Sequence, residues 1–378
     1  MSKHICIVSE FYPTENEPLF PFVQQLAYSL SNEGVRCTVI APQSITKNII
    51  RRMQPKPQVD IDISPDGCSI KVFRPYILTF SNTRNRFLQW LADKIMEHAI
   101  RKGIRKAEEA DAVYCYFWHV GLMTIIALKK MNMPVFVQAS ECELTIHPYM
   151  IKKENLDRVK AVICASGKNK QESMDAGLVC EEKTHVVVNG YRKDEFYHID
   201  QSIARAEFNI SNDKFIVVFL GGFIERKGIV QLSNVLNKFD DVFSIFIGQG
   251  ANPPTCKNIL FCDKVDHNKI VKLMNCGDIF VLPTKAEGCC NAIIEALACG
   301  LPVVSSNKSF NDEILSQDCS IRINEQDENE LYDAILKLKN DSALRKQMSA
   351  AALKKAESLT IEHRAKAIKE ILFPHTDV

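Results

Sequence analysis

Short apolar runs bounded by glycine or proline recur along this chain, and most are followed by a longer stretch with helical periodicity. In the first half the runs are His4 to Val8, Cys37 to Ile40, Ala112 to Tyr116, Val135 to Gln138, Ala161 to Ala165 and Val186 to Val188. Phe215 to Leu220, Val242 to Ile247, Asn258 to Cys262 and Ile279 to Leu282 repeat the pattern in the second half. Runs of this length and content read as buried strands, and their alternation with helices predicts an α/β chain of parallel sheets covered by helices. With 378 residues, 46% of them hydrophobic, there is sequence enough for two domains, each with its own core.

The stretch from Ile279 to Val304 carries the chemistry. The strand Ile279 to Leu282 meets a loop bracketed by Pro283 and Gly288, then an Ala-, Ile- and Leu-rich helix that Gly300 and Pro302 end. Free N–H groups at the start of that helix, around Gly288, Cys289, Cys290 and Asn291, make a donor-rich pocket suited to a diphosphate. Two glutamates, Glu287 and Glu295, stand eight positions apart beside it. Carboxylates next to an anion site are explained if they accept hydrogen bonds from hydroxyls of the same ligand, and a sugar nucleotide has hydroxyls on both sides of its diphosphate.

A second segment supports this independently. After Phe215 to Leu220 comes Gly221-Gly222-Phe223-Ile224-Glu225-Arg226-Lys227-Gly228, where glycine lets backbone approach a ligand and Lys227 and Arg226 neutralise a leaving diphosphate without a metal. Gly248-Gln249-Gly250 ends the following strand in a third tight turn, a weak signal taken alone.

In these motifs the chain resembles the retaining glycosyltransferases of family 4, whose hallmark is a glutamate, seven residues and a second glutamate ahead of a Gly-x-Pro-Val-Val strand. The resemblance implies that Glu287 approaches the transferred sugar and Glu295 the ribose, that Lys227 is the phosphate-binding lysine, and that Gly248 and Gly250 line the nucleotide cleft. It implies the GT-B fold: two Rossmann-like domains with parallel sheets facing across a cleft. The expected boundaries are 1–190 for acceptor binding and 191–357 for the nucleotide sugar, with a terminal helix, about 358–378, packing back on the first domain. It further implies retention of anomeric configuration, the leaving diphosphate helping to deprotonate the acceptor.

Several positions depart from the family pattern. Gly222 stands where an arginine is usual, Pro18, Leu19 and Phe20 where a Gly-Gly pair is common, and Tyr116 where many relatives have histidine. Ser140-Glu141-Cys142-Glu143 replaces a His-Gly-x-Asp loop, which leaves Tyr116, His119 and Glu141 as the acceptor-side candidates. The helical excursion after Gly250 is trimmed. The expected activity is transfer of a hexosyl group from a nucleotide sugar to a glycan or lipid-linked acceptor in cell-surface polysaccharide or glycolipid synthesis. The alternative is a catalytically silent nucleotide-sugar-binding subunit supporting a partner enzyme.

Charge and cysteine usage narrow the setting. A formal net charge of +1 gives no reason to invoke nucleic acid. Fourteen cysteines without a Cys-x-x-Cys pair fit a reducing cytosol and no metal site, and Asp60-Ile61-Asp62 reads as a solvated turn. With no signal peptide and no run of transmembrane length, the expected location is the cytoplasm, with the inner face of the membrane as a further option. Basic residues concentrate in the first half: Lys47, Arg51, Arg52 and Lys56, then Arg84, Arg86, Lys94, Arg101, Lys102, Arg105 and Lys106. Phe87, Leu88, Trp90, Leu91, Ile95 and Met96 run between them as an apolar stripe that either docks on an anionic leaflet or faces the core. The tail from Ser342 to Leu372 reads as a long, polar, helical stretch.

Overall fold

Alternate residues of the first strand serve two different cores. In β1 (His4–Val8), Ile5 and Ile7 point into one apolar cluster and Cys6 and Val8 into another, as the two-residue period of a strand buried on both faces requires. The structure is a computed structural model that describes residues 2–14, 17, 19–50, 52, 54–79, 85–107 and 110–374; Pro18, Arg51 and Arg84 lie outside the described residues. The chain forms two units, one of residues 1–165, 169–187 and 365–378, the other of 166–168 and 188–364.

The first unit runs β1, α1 (Pro21–Asn32), β2 (Arg36–Ile40), β3 (Gln43–Ser44), α2 (Ile45–Ile50), β4 (Val59–Ile63), β5 (Ser69–Phe73), β6 (Tyr76–Ile77) and α3 (Arg86–Lys106). It continues with β7 (Ala112–Tyr116), α4 (Trp118–Ala127), β8 (Val135–Ala139), α5 (Lys153–Leu156), β9 (Val159–Cys164), α6 (Gly167–Asp175) and β10 (Thr184–Val186). Its main sheet has the order β10-β9-β8-β7-β1-β2-β5-β4, parallel except for the β4–β5 edge pair. One face packs on α1, through Val23, Leu26 and Leu30, and on the C-terminal residues Ala365, Ile368 and Leu372; the other packs on α3 and α4.

The second unit contains α7 (Gln201–Glu207), β11 (Phe215–Leu220), α8 (Ile229–Leu236), β12 (Val242–Ile247), β13 (Ile259–Asp263) and α9 (His267–Asn275). Then come β14 (Ile279–Leu282), α10 (Asn291–Ala298), β15 (Val303–Ser306), β16 (Ser320–Ile323), α11 (Glu328–Asn340) and α12 (Ser342–Ala356); the last helix, α13 (Ile361–Leu372), begins in this unit and from Ala365 onward belongs to the first. Its sheet, β13-β12-β11-β14-β15-β16, is parallel throughout. Buried ionic chemistry anchors it: Arg205, 1% exposed, donates to Cys276 O and to Asp278 Oδ2, which also accepts from Ile216 N.

Three expectations are corrected or refined. Asp60 and Asp62 lie on an edge strand, β4, rather than in a turn, because β5 pairs with it antiparallel over its whole length. Asp62 accepts from Tyr12 Oη at 2.6 Å, Gln24 Nε2 at 2.8 Å and Tyr28 Oη at 2.9 Å, while Asp60 pairs with Arg74. The tail is two helices, α12 and α13: Tyr191 enters between them, its N–H donating to Leu359 O and its carbonyl accepting from Ile361 N, so the helical ladder is interrupted. The strand expected at Val186 to Val188 is Thr184–Val186. No helix among the described residues is long and apolar enough to cross a membrane.

Candidate active site

The strand order of the second unit puts β11 and β14 side by side while their following connections leave in opposite directions along the sheet. Such a switch point opens a crevice beyond the carboxyl ends of the strands, where open α/β sheets bind ligands. The two loops that diverge there are Gly221–Gly228 and Pro283–Cys290, the two motifs singled out from sequence.

The first loop is laced to its neighbours by backbone. Gly221 N donates to Ile247 O, Phe223 N to Gln249 O and Asn252 N to Phe223 O, so the 221–223 and 248–250 turns lie directly on one another. A Cβ at position 248 would stand 2.0 Å from Gly221 O, and one at 250 would stand 2.4 Å from Phe223 O. Gly248 and Gly250 are therefore required by loop-on-loop contact, a packing reason that the bare Gly-x-Gly spacing did not disclose. Gly222 is different: it is exposed, and the nearest neighbour to a Cβ there is 4.0 Å away. After one turn of 3-10 helix, Glu225–Lys227, Gly228 takes φ 74° and closes on Pro283, where a Cβ would meet the carbonyl at 2.2 Å.

That closure sets the charged groups. Glu287, 8% exposed, receives three donors on Oε1: Lys227 Nζ at 2.5 Å, Thr284 Oγ1 at 2.9 Å and Arg226 Nη1 at 3.2 Å. Lys285 N donates to Arg226 O at 2.8 Å, and the Arg226 guanidinium donates to Ala286 O, so the two loops hold each other. Burial pulls the Lys227 pKa down, but the paired Glu287 carboxylate raises it, and the ammonium is held above its ordinary value. Burial pushes the Cys290 thiol up to about 12, so the position acts as a neutral, small apolar group at the helix start.

Helix α10 begins at Asn291 with Cys290 as its cap residue and no side-chain cap; Asn189 Nδ2 donates to Asn291 Oδ1 at 2.8 Å. Glu295, half-buried one turn in, has its carboxyl pushed up to about 7 by burial, with His267 and Lys227 pulling against it and Glu195 adding to it. His267 Nε2 lies 3.0 Å from Glu195 Oε2, and that carboxylate raises the histidine's pKa. Sequence reasoning missed Thr284, Glu195 and His267. Only Thr284 left a signal, the Thr-x-x-Glu spacing to Glu287; Glu195 and His267 come together through folding. Among the described residues no cluster of His, Cys, Asp or Glu has the form of a metal site.

The first unit has its own switch point, between β1 and β7, and a cavity of about 200 Å³ lies there, lined by Glu10, Tyr12, Lys47, Arg74, Asp93 and His119 among others. Tyr116 is 1% exposed, its hydroxyl donating to Phe22 O at 3.2 Å among the rings of Phe22, Tyr114 and Phe117, so it belongs to the core beneath the cavity. His119 lines the cavity, 3.6 Å from Asp93 Oδ1. Burial lowers its pKa, against the raising effect of Asp93 and Glu10, so the ring favours the neutral form. Asp93 also meets His147 Nδ1 at 3.0 Å and the Tyr149 hydroxyl. Glu141 accepts from Trp118 N at 2.5 Å and from Ser140 N at 2.8 Å, capping the first turn of α4.

Comparison with known proteins agrees with the fold. Residues 200–355 match the family model described as glycosyl transferases group 1. Along 352 residues the chain is 20% identical to TuaC of Bacillus subtilis (strain 168), a glycosyltransferase whose name places it in teichuronic acid biosynthesis, covering 88% of each chain. It is 24% identical over 228 residues to the capsular polysaccharide biosynthesis glycosyltransferase CapM of Staphylococcus aureus, covering 56% of this chain and 60% of that one. In fold it is similar to Anabaena Alr3699/HepE, solved with UDP and glucose, with a TM-score of 0.68, 17% identity and coverage of 99% and 100%. The fold is thus the GT-B type, and the group 1 segment holds Lys227, Glu287 and Glu295.

Proposed function

We propose that this chain is a retaining glycosyltransferase that takes a sugar from a nucleotide-sugar donor and passes it to a glycan or lipid-linked acceptor in surface polysaccharide or glycolipid synthesis. The observation that carries the reading is the meeting of Lys227, Arg226 and Glu287 at the switch point of the group 1 unit, beside the uncapped start of α10.

The chemistry follows from exchange of partners. A donor diphosphate competes with Glu287 for the Lys227 ammonium and takes the N–H groups of Gly288 to Asn291, and Glu287, released from one of its three donors, accepts from hydroxyls of the transferred sugar. As the glycosidic C–O bond to the diphosphate breaks, charge grows on the leaving oxygen, and Lys227, with Arg226 beside it, stabilises that charge. The acceptor hydroxyl attacks from the same face and gives its proton to the departing diphosphate. Glu295 accepts from the ribose hydroxyls. No metal enters these steps. On the acceptor side, His119 faces the cavity of the first unit, whereas Tyr116 and Glu141 act there through packing and helix capping.

The relatives' names support the surface-glycan assignment, and HepE's ligands make UDP-glucose the first donor to try. A silent nucleotide-sugar-binding subunit is the second reading, favoured by Gly222 where the family has arginine. Nuclear magnetic resonance of the product decides both points. Transfer from an α-linked donor is expected to give an α-linked product; a β-linked product contradicts retention, and donor binding with no turnover, with or without acceptor glycans, selects the silent subunit.

A further inference from the structure

Helix α3 changes character along its length. In its C-terminal half Ala99, Ile100, Gly103 and Ile104 are buried, and a Cβ at Gly103 would stand 2.7 Å from the Ile40 side chain, so this half is pressed against the sheet. Its first turns carry Phe87, 63% exposed, and Trp90, 42% exposed, with their rings stacked at 5.8 Å. The apolar stripe is therefore split: part of it faces the core and part of it faces out.

The basic residues are ordered as well. Lys94, His98, Lys102 and Lys106 recur every fourth residue and so form one ridge along the helix. All four line a groove of about 400 Å³ whose remaining walls include Phe73, Pro75, Tyr76 and Ile95, and no carboxylate is among its described lining residues. Lys94 also reaches Glu97 at 2.7 Å. Tyr76, on the far wall, is 41% exposed. With a formal net charge of +1 for the whole chain, this ridge is a local concentration rather than a sample of a basic protein.

We propose that this face of α3 docks on a bilayer surface containing anionic phospholipids, with Phe87 and Trp90 entering the interfacial zone and lipid phosphates taken by the Lys94 to Lys106 ridge. Aromatic side chains next to a row of long cationic ones match the two layers of such a surface, apolar below and anionic above. A soluble polyanion would satisfy the ridge and leave the exposed aromatic pair without a function, which is why the bilayer is preferred. The inference goes beyond the transfer reaction and is measured without donor, so its failure is distinct from failure of the transferase reading.

The test uses the full chain with vesicles of phosphatidylcholine alone and of phosphatidylcholine mixed with phosphatidylglycerol. Of the two tryptophans Trp118 is fully buried, so a change in emission reports Trp90. Sedimentation with the mixed vesicles and a blue shift of emission are expected, both lost at high salt. Lys102→Glu/Lys106→Glu should weaken binding by about a hundredfold or more and the milder Lys102→Ala/Lys106→Ala by about 25-fold, given roughly fivefold per cation at such a surface. Phe87→Ser/Trp90→Ser should weaken it too, and all three variants should keep the wild-type rate of donor hydrolysis in solution. Equal binding to both vesicle types, no binding to either, or capture of dextran sulfate with the mixed vesicles ignored overturns the proposal.

Discussion

Lys227 Nζ lies 2.5 Å from Glu287 Oε1, joining the loop after β11 to the loop after β14 at the point where the sheet's connections part. Thr284 and Arg226 complete the set around the same oxygen, so Glu287 is the meeting point of the two motifs.

The pair is coupled, and a double-mutant cycle measures how strongly. Lys227→Met leaves a largely buried carboxylate with two donors instead of three and is expected to cost about 1–3 kcal/mol in urea melts. Lys227→Met/Glu287→Gln should recover part of that loss, giving a coupling energy of roughly 0.5–3 kcal/mol. Additive single costs would mean that the contact holds nothing together.

The glycines of the two stacked turns differ in what they tolerate. Gly250→Ala brings a methyl against Phe223 O and should destabilise the second unit by about 2 kcal/mol or more, whereas Gly222→Ala meets open space and should melt within about 0.5 kcal/mol of wild type. Thermal unfolding of the two variants side by side checks the distinction. Gly222→Arg, which restores the family's usual residue, should also fold.

Glu295 makes stability depend on pH. Its carboxyl is raised from 4.5 to about 7, so the folded protein binds this proton more tightly than the unfolded chain, and stability falls as pH climbs from about 4.5 through 7. Glu295→Gln removes that fall. The variant is expected to match wild type near about pH 4 and to exceed it near about pH 8 by roughly 1–3 kcal/mol, less than the full shift because the residue is half-buried. Parallel melts at the two pH values give the answer; an equal difference at both would show that the carboxyl is not raised.

Glu141 is expected to behave as a cap. Glu141→Ala removes the acceptor for Trp118 N and Ser140 N and should lower the stability of the first unit by about 1–2 kcal/mol, with Glu141→Gln keeping roughly half of the effect. A KM change for acceptor that exceeds the loss of stability would instead place Glu141 at the substrate.

Much of this was legible in the sequence because buried parallel strands announce themselves as apolar runs, and those that carry the site, β1, β7, β11 and β14, are of that kind. The segment from 43 to 77 was not: β3 and β6 have two residues each, and β4 is an edge strand whose alternate residues are exposed, so Asp60 and Asp62 resembled a turn. Within the site Lys227, Glu287 and Glu295 were picked out by their motifs and the family resemblance, and the structure brings Lys227 and Glu287 together. The Glu195–His267 pair was not picked out, since those residues stand 72 positions apart in the sequence and meet only in the fold. Tyr116, the last residue of β7, was named because many relatives have histidine there, but strand alternation turns its ring into the core.

The central claim is that Lys227 and Glu287 run the transfer, and the most direct test is hydrolysis of UDP-, GDP- and ADP-sugars by the wild-type chain, Lys227→Ala and Glu287→Ala without acceptor. The account predicts slow hydrolysis of one donor by the wild type and a loss of about a hundredfold or more in each variant, with the fold intact by melting. Hydrolysis that survives both substitutions would contradict it.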